Sequence, residues 1–475
     1  MQLPKILTAV PRRFYTILSL MGLVVVALIF FSGRGDGFAF VSDWQTPFTT
    51  DDGLLGSVMG YFGDESSGDE TRIAIVNSIK AHDEVLAALV HSFGGHPNAR
   101  VNVFLYRQRY EMEKIMRNFT LASRTTVRGI SAFKPAMMRN PHPHVVVSTT
   151  CELDLKFAKP GFQNLLDNGA THLFCVIHHA DQWDKGGHVD FARKWAEKGK
   201  LDFVALSQHT ADFLLKETIP KWKADYSVTA RVLPPVFPVE HPADEEDGIS
   251  LAMQGDYSSG RRDYEHIFTG LGGVLEKLES ADSSQQNQSL QLHVIGHGTT
   301  PKVPKVAEGH VIFDASLSYP DFYAVLSKAF AVIPGFASDT YLDRKASSTV
   351  PASLIAGAPL LVNDDILKAY SYLPREAAWV AKSGEEDMDA IKRMIGNQEE
   401  FIKKRDLARK AATDIMAQNR INIQKWTAEV RRKMDSQHNE EQKQREKEAA
   451  AAAAKSEAAE KAKTEAAAAA TAAAN

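Results

Sequence analysis

The stretch Ile177-His178-His179-Ala180-Asp181-Gln182-Trp183-Asp184 brings two imidazoles and two carboxylates together directly after an apolar run that reads as a strand. In an open α/β sheet the loops at strand carboxyl ends line the ligand crevice. A histidine there can take the proton of a hydroxyl group, with Asp181 or Asp184 orienting the ring. Adjacent histidines beside aspartates also suggest a metal. Neighbouring side chains rarely point at one ion, however, and no distant partner at metal spacing is identifiable, so no metal site is expected. The bland alternative is a set of polar loop residues bonded to backbone. Ser207-Gln208-His209-Thr210, after the next strand, is a weaker case, because Ser207 or Thr210 is readily a helix cap.

A second set of residues suits an anion. Gly255-Asp256-Tyr257-Ser258-Ser259-Gly260-Arg261-Arg262 follows another strand-like run and opens a helix. Small residues allow close backbone approach, and Arg261 or Arg262 can bond a diphosphate in bidentate fashion. Further on, Arg344 and Lys345 precede Ser347, Ser348 and Thr349, then Pro351 and the helix-like ASLIA, stopped by Gly357 and Pro359. Hydroxyl residues followed by proline mark a helix start, and a helix start facing the end of a parallel strand attracts anions. The bland readings are an ordinary cap and a surface turn with solvated arginines. Asn77 to Glu84 also belongs at the crevice, but it lacks the G-x-G-x-x-G of dinucleotide folds, which lowers a dehydrogenase reading.

The elements that must position these residues alternate. Strands are expected at 72–76, 101–106, 144–147, 172–177 and 202–206, with helices at 80–93, 109–121, 161–169, 191–198 and 210–217 between them. After the proline-rich, acidic break Leu233 to Gly248 the rhythm resumes. Strands are expected at 249–253, 290–295, 311–313, 329–334 and 360–362, with helices at 263–278 and 319–328. Alternation of this kind implies open, mostly parallel sheets covered on both faces. The fold class expected is therefore α/β, with two Rossmann-like doubly wound domains facing across a cleft, at 71–238 and 248–384. Residues 385–434 read as helices. From 435 to 475 the tail of Gln, Glu, Lys and Ala has no apolar stripe and reads as a solvated helix without chemistry.

The run from Lys328 to Val362, a strand ending in a loop, then KASSTV, an apolar helix and G-x-P-L-L, resembles the nucleotide-sugar half of GT-B-type glycosyltransferases, most closely their fungal, membrane-anchored members. The resemblance implies a sugar donor, UDP- or GDP-linked, on the second domain. It would be held by Gly255, Arg261 or Arg262, Arg344 or Lys345, and the helix start at Ser347, Ser348 and Thr349. It also implies that 385–434 crosses back to the first domain, that no separate cofactor is needed, and that the first domain holds a glycan or glycoprotein acceptor. His178 or His179 would be the base if the reaction inverts. The paired glutamates of many retaining members are absent here, Asp339 and Ser347 standing at that spacing, so stereochemistry stays open. A non-catalytic glycan- or partner-binding protein on the same fold is the rival expectation.

The whole chain sets the compartment. It has 475 residues and a net charge of −4, which excludes a global basic field for nucleic acid. Phe14 to Phe31 is uncharged and near the lower length limit for a membrane-spanning helix. Lys5, Arg12 and Arg13 before it, against Arg34 and Asp36 after it, place the amino terminus in the cytosol. The expectation is a single-pass type II protein of the Golgi or endoplasmic reticulum, with a cytosolic tail at 1–13, a signal anchor at 14–32 and a stem at 33–70. Asn118-Phe119-Thr120 and Asn287-Gln288-Ser289 are glycan acceptor patterns consistent with lumenal exposure. Cys151 and Cys175 either pair in an oxidising lumen or stand as buried free thiols.

Overall fold

The computed structural model describes residues 48–49, 70–241, 249–280 and 290–473. The expected anchor at 14–32, the tail before it, most of the stem and Asn287 lie outside the described residues. Among the described residues no helix is long and apolar enough to cross a membrane.

Two parallel sheets build the molecule. The first contains β1 (Phe48–Thr49), β2 (Thr71–Asn77), β3 (Ala99–Leu105), β4 (Arg124–Gly129), β5 (Val145–Ser148), β6 (His172–Ile177), β7 (Leu201–Ala205) and β8 (Thr229–Val232). Their spatial order is β1-β4-β3-β2-β5-β6-β7-β8. The second contains β9 (Ile249–Gln254), β10 (Leu290–Gly296), β11 (Val311–Ala315) and β12 (Ala331–Val332), in the order β11-β10-β9-β12. Val332 continues it by a parallel bridge to Leu360, beside the pair β13 (Leu361–Val362) and β14 (Trp379–Val380). In each sheet the order reverses once, beside β2 in the first and beside β9 in the second. A doubly wound sheet binds ligands outside the strand ends at such a point.

The strands form here because they are apolar on both faces. Val145, Val146 and Val147 are fully buried, as are Leu173 to Ile177, since helices cover the sheet from both sides. The expected helix at 109–121 is only Met112–Met116. Tyr110 and Glu111 take left-handed backbone angles, φ 50° and 57°, and the helix starts after them. β4, which was not expected, follows; its alternating polar residues suit a strand near the sheet edge rather than a central one. The helix Cys151–Phe157 was not expected either.

Cys151 and Cys175 are disulfide-bonded, Cα atoms 5.3 Å apart, which ties that helix to β6. The last helix, Gln398–Ala473, starts on the second sheet's side, where Phe401 packs on Phe330. It then carries Ala408, Ala412, Ile423, Trp426 and Val430 along one stripe. Trp426 meets Phe174 of β6, and Asn419 donates to the Pro234 carbonyl, so the helix spans both halves. Beyond Met434 the stripe ends and the described side chains are solvent-exposed.

Candidate active site

Two adjoining cavities lie between the sheets, of about 280 Å³ and about 240 Å³. They share Glu84, Pro235, Gly255, Arg261, Ser348 and Pro351 as walls. The larger holds most of the polar groups.

On the first-sheet side, β2 ends in a turn that leads to His82, whose backbone is left-handed at φ 61°. A non-glycine residue held there carries strain that its surroundings must enforce. The start of that turn is fixed by Asp154. Its buried carboxylate accepts from Ser78 N at 2.7 Å, Ser78 Oγ at 2.6 Å, Ser148 Oγ at 2.8 Å and Thr150 N at 2.9 Å, so it pins the β2 and β5 loops together. The His82 ring lies over that of His178, centroids 3.8 Å apart, and its Nδ1 is 3.8 Å from Glu84 Oε1. Burial disfavours the imidazolium, but the Glu84 carboxylate 3.8 Å away outweighs it and raises the His82 pKa above 6.5. Burial likewise opposes Glu84 ionisation, yet His82 and the Tyr319 hydroxyl hold its carboxyl below the ordinary value.

His178 is different in character. Its Nε2 faces the Thr149 carbonyl at 2.9 Å, so that nitrogen carries the hydrogen. Burial, then the His82 charge, keep its pKa well below 6.5, and the ring stays neutral. His179 falls to about 4 through burial and the nearby Lys345. Beneath both, Glu152 Oε1 accepts from the backbone N–H groups of His178 and His179 at 2.9 and 3.1 Å and from Trp183 Nε1 at 3.3 Å.

On the second-sheet side, Gly255 sits at φ 134°, open to few residues but glycine, and a Cβ on Gly296 would lie 1.9 Å from the Gly255 carbonyl oxygen. That close approach keeps the strand ends low beneath the cleft. Arg262 is 4% exposed. Its guanidinium donates to the Gln254 carbonyl at 3.1 and 3.0 Å, to the Arg261 carbonyl at 3.1 Å and to Thr349 Oγ1 at 2.8 Å, and it lies near the rings of Phe336 and Tyr341. Gln254 also donates to Ser348 and Thr349. Arg262 and Gln254 therefore splice the end of β9 to the start of the helix Thr349–Ala356. Arg261 is exposed and bonded to Asp256 at 2.7 Å, with His297 on the other oxygen of that carboxylate at 3.0 Å. Lys345 lines the larger cavity, half-buried, with no carboxylate partner among the described residues.

The structure brings His178, His179, Gly255, Arg261, Arg262, Lys345, Ser347 and Ser348 to the wall of one cavity. Asp181, Arg344 and Thr349 are not on it. Arg344 pairs with Asp343 at 2.8 Å and with Asp181 at 3.6 Å, and its carbonyl accepts from Ala180 N. This is a tie between the halves. Thr349 is fully buried under Arg262. His209 joins the same tie, its two ring nitrogens facing the Ala369 and Lys345 carbonyls at 2.8 and 3.0 Å. Both bonds form together only on a doubly protonated ring. Asn118 is exposed and donates to Glu240.

His82, Glu84 and Tyr319 are cleft residues to which the sequence reading assigned no role. The signal was present: a histidine two residues before a glutamate, after the first strand. Its nearness to His178 is tertiary. Among the described residues no group of three or more His, Cys, Asp or Glu side chains is placed to hold a metal ion.

No family model matches the chain, and no curated protein does. Matching solved structures include HepE from Anabaena in complex with UDP-glucose, at 9% identity over 76% of this chain and 100% of that one, TM-score 0.49. A sucrose-phosphate synthase from Thermosynechococcus elongatus matches at 9% identity over 77% and 100%, TM-score 0.48. An O-GlcNAc transferase mutant from Thermobaculum terrenum matches at 12% identity over 78% and 68%, TM-score 0.45. Likeness at this level says nothing about what this chain binds.

Proposed function

We propose that the chain is a glycosyltransferase of GT-B architecture that moves a sugar from a nucleoside diphosphate to the hydroxyl of a glycan or glycoprotein. One observation carries this reading: a single cleft holds an anion-attracting side and a proton-accepting side facing each other. The anion side consists of the start of the helix Thr349–Ala356, Lys345, which has no carboxylate partner among the described residues, and the exposed Arg261. The proton side is His82, backed by Glu84. With Nδ1 turned to Glu84, Nε2 of His82 is the nitrogen left to accept the acceptor hydroxyl's proton. The acceptor oxygen would then bond the sugar's anomeric carbon as the carbon–oxygen bond to the diphosphate breaks. Lys345, Arg261 and the helix start would take up the negative charge of the leaving diphosphate without a metal ion. A base opposite the donor suits inversion, and His82 takes that role in place of His178, whose Nε2 is committed to the Thr149 carbonyl, and of His179, whose pKa falls to about 4 through burial and Lys345.

The secretory location belongs to the same proposal. The buried disulfide, the uncharged span at 14–32 and the exposed Asn118 support a type II protein of the Golgi or endoplasmic reticulum. The rival reading, a non-catalytic binding protein, is favoured by one feature: Arg262 is fully engaged with the protein, which reduces the free cations. Calorimetry of the full chain against UDP, GDP, UDP-glucose and GDP-mannose decides between them when combined with donor turnover. Saturable binding with turnover is expected; binding without turnover would favour the rival, and no binding would end the transferase reading.

A further inference from the structure

Glu84 forms part of the wall of both cavities and belongs to the first half of the chain, yet one of its oxygens is held from the second half. Tyr319 Oη donates to Glu84 Oε2 at 3.0 Å, while Glu84 Oε1 is the oxygen facing His82. Tyr319 is itself closely fixed. It opens the helix Tyr319–Ser327, whose cap Ser318 accepts from Asp321 N. Its backbone N–H donates to the Tyr110 carbonyl at 2.6 Å, and its ring meets those of Tyr110 and Tyr323. The hydroxyl thus crosses the cleft from an anchored ring to a side chain that is about one-quarter exposed.

We propose that Tyr319 is a positioning residue: its hydroxyl fixes Glu84 against His82, so the imidazole is oriented from the opposite side of the cleft and is released when the cleft opens. The proposal rests on the transfer reading for its consequence, since it makes the base competent only while both halves enclose the substrates. It rests on geometry alone for the contact. The charged and titratable groups facing His82 are Asp83 and Glu84 from its own helix, Glu152, His178 and His179 from the neighbouring loops of the first half, and Tyr319 acting through Glu84. Burial and the Glu84 charge keep the Tyr319 hydroxyl protonated well beyond its ordinary range, so it stays a donor.

The experiment is an NMR titration of the full chain carrying 13C-labelled histidine, with the His82 signal assigned by its loss in His82→Gln. If Tyr319 holds Glu84 in place, Tyr319→Phe lets the carboxylate swing away, and the His82 midpoint falls by ~0.5 pH unit or more toward that of Glu84→Gln. If the hydroxyl is only a passive donor, its removal leaves a more basic carboxylate in place and the midpoint stays or rises; either result overturns the proposal. In parallel, UDP-glucose and GDP-mannose turnover should show kcat reduced in Tyr319→Phe with donor KM unchanged, whereas equal loss in both would mean general damage and also overturn it. Should wild type bind neither donor, the transfer reading fails, while the midpoint still reports whether Tyr319 positions Glu84.

Discussion

On the first-sheet side of the cleft, buried carboxylates hold the working residues from below: Asp154 under the Ser78 turn, Glu152 under the backbone of His178 and His179. On the second-sheet side the roles invert. There a buried cation, Arg262, holds carbonyls and a hydroxyl, and the outer charges Arg261 and Lys345 are left facing the cavity. The first side uses two buried carboxylates as scaffold and the second one buried cation, and each displays weaker-held groups of other chemistry above them. Buried charge must be matched by several hydrogen bonds, which leaves it fewer for a ligand. The residue placed one shell out is the one free to act.

The largest effect expected from this contrast is at His82. His82→Ala should cut transfer by ~10²–10⁴-fold, the usual range for a general base, with nucleotide affinity retained in calorimetry. Because the base must be unprotonated and its pKa is raised, the acid limb of kcat/KM should lie above pH 6.5 in wild type. A limb well below that value would exclude His82 as the base. Next in size is the disulfide under the same side. It closes a sequence separation of 24 and fastens the helix that carries Glu152 and Asp154. The double change Cys151→Ala, Cys175→Ala should cost about 3 kcal/mol in denaturant unfolding. A loss below about 1 kcal/mol would show that the carboxylate clamps hold the loops without it.

Much of this architecture was legible from the chain because its central strands are buried on both faces and therefore read as unbroken apolar runs. β6 was expected at its observed bounds for that reason. β4 was missed because its Arg, Thr and Arg residues alternate near an edge, where burial no longer dictates composition. Most of the second-sheet wall of the cavity was legible, since glycine, hydroxyl and basic residues cluster locally around strand ends, but Arg344 and Thr349 lie off it. Which of two adjacent arginines is engaged with the protein and which stays exposed was not legible, because the direction of the Arg262 side chain depends on Gln254 and Thr349, which lie in other elements. His82 was placed at the cleft without a role, since its ring contact with His178 and the reach of Tyr319 exist only after the halves assemble.

The two-shell contrast on the second side can be broken by exchanging the roles of its cations. Arg262→Ala removes both guanidinium bonds to the Gln254 carbonyl and one of the two donors to the Thr349 hydroxyl and should cost about 2–3 kcal/mol of stability. Lys345→Ala should leave stability within about 0.5 kcal/mol and weaken UDP or GDP binding roughly tenfold, the loss of one charge-assisted contact. Stability measured by urea unfolding and affinity measured by calorimetry separate the two. If Lys345→Ala unfolds the protein while Arg262→Ala only weakens nucleotide binding, the assignment of scaffold and ligand groups is reversed.

The smallest effect belongs to the Asp181–Arg344 pair, which joins the two sides instead of serving either. The oxygen and nitrogen are 3.6 Å apart, both side chains are about one-third exposed, and Arg344 keeps Asp343 at 2.8 Å if Asp181 is removed. Exposed pairs of that kind contribute about 0–1 kcal/mol, because water and salt screen them. The backbone bond from Ala180 to the Arg344 carbonyl and the bridge between His179 and Lys345 persist in any side-chain variant. Asp181→Asn should therefore change kcat by no more than about twofold and unfolding free energy by less than about 1 kcal/mol. A hundredfold fall in kcat with donor affinity intact would instead give Asp181 a part in proton transfer. It would return the base assignment to the histidine pair at 178 and 179, and the carboxylate clamp beneath them would then belong to the catalytic apparatus and not to its scaffold.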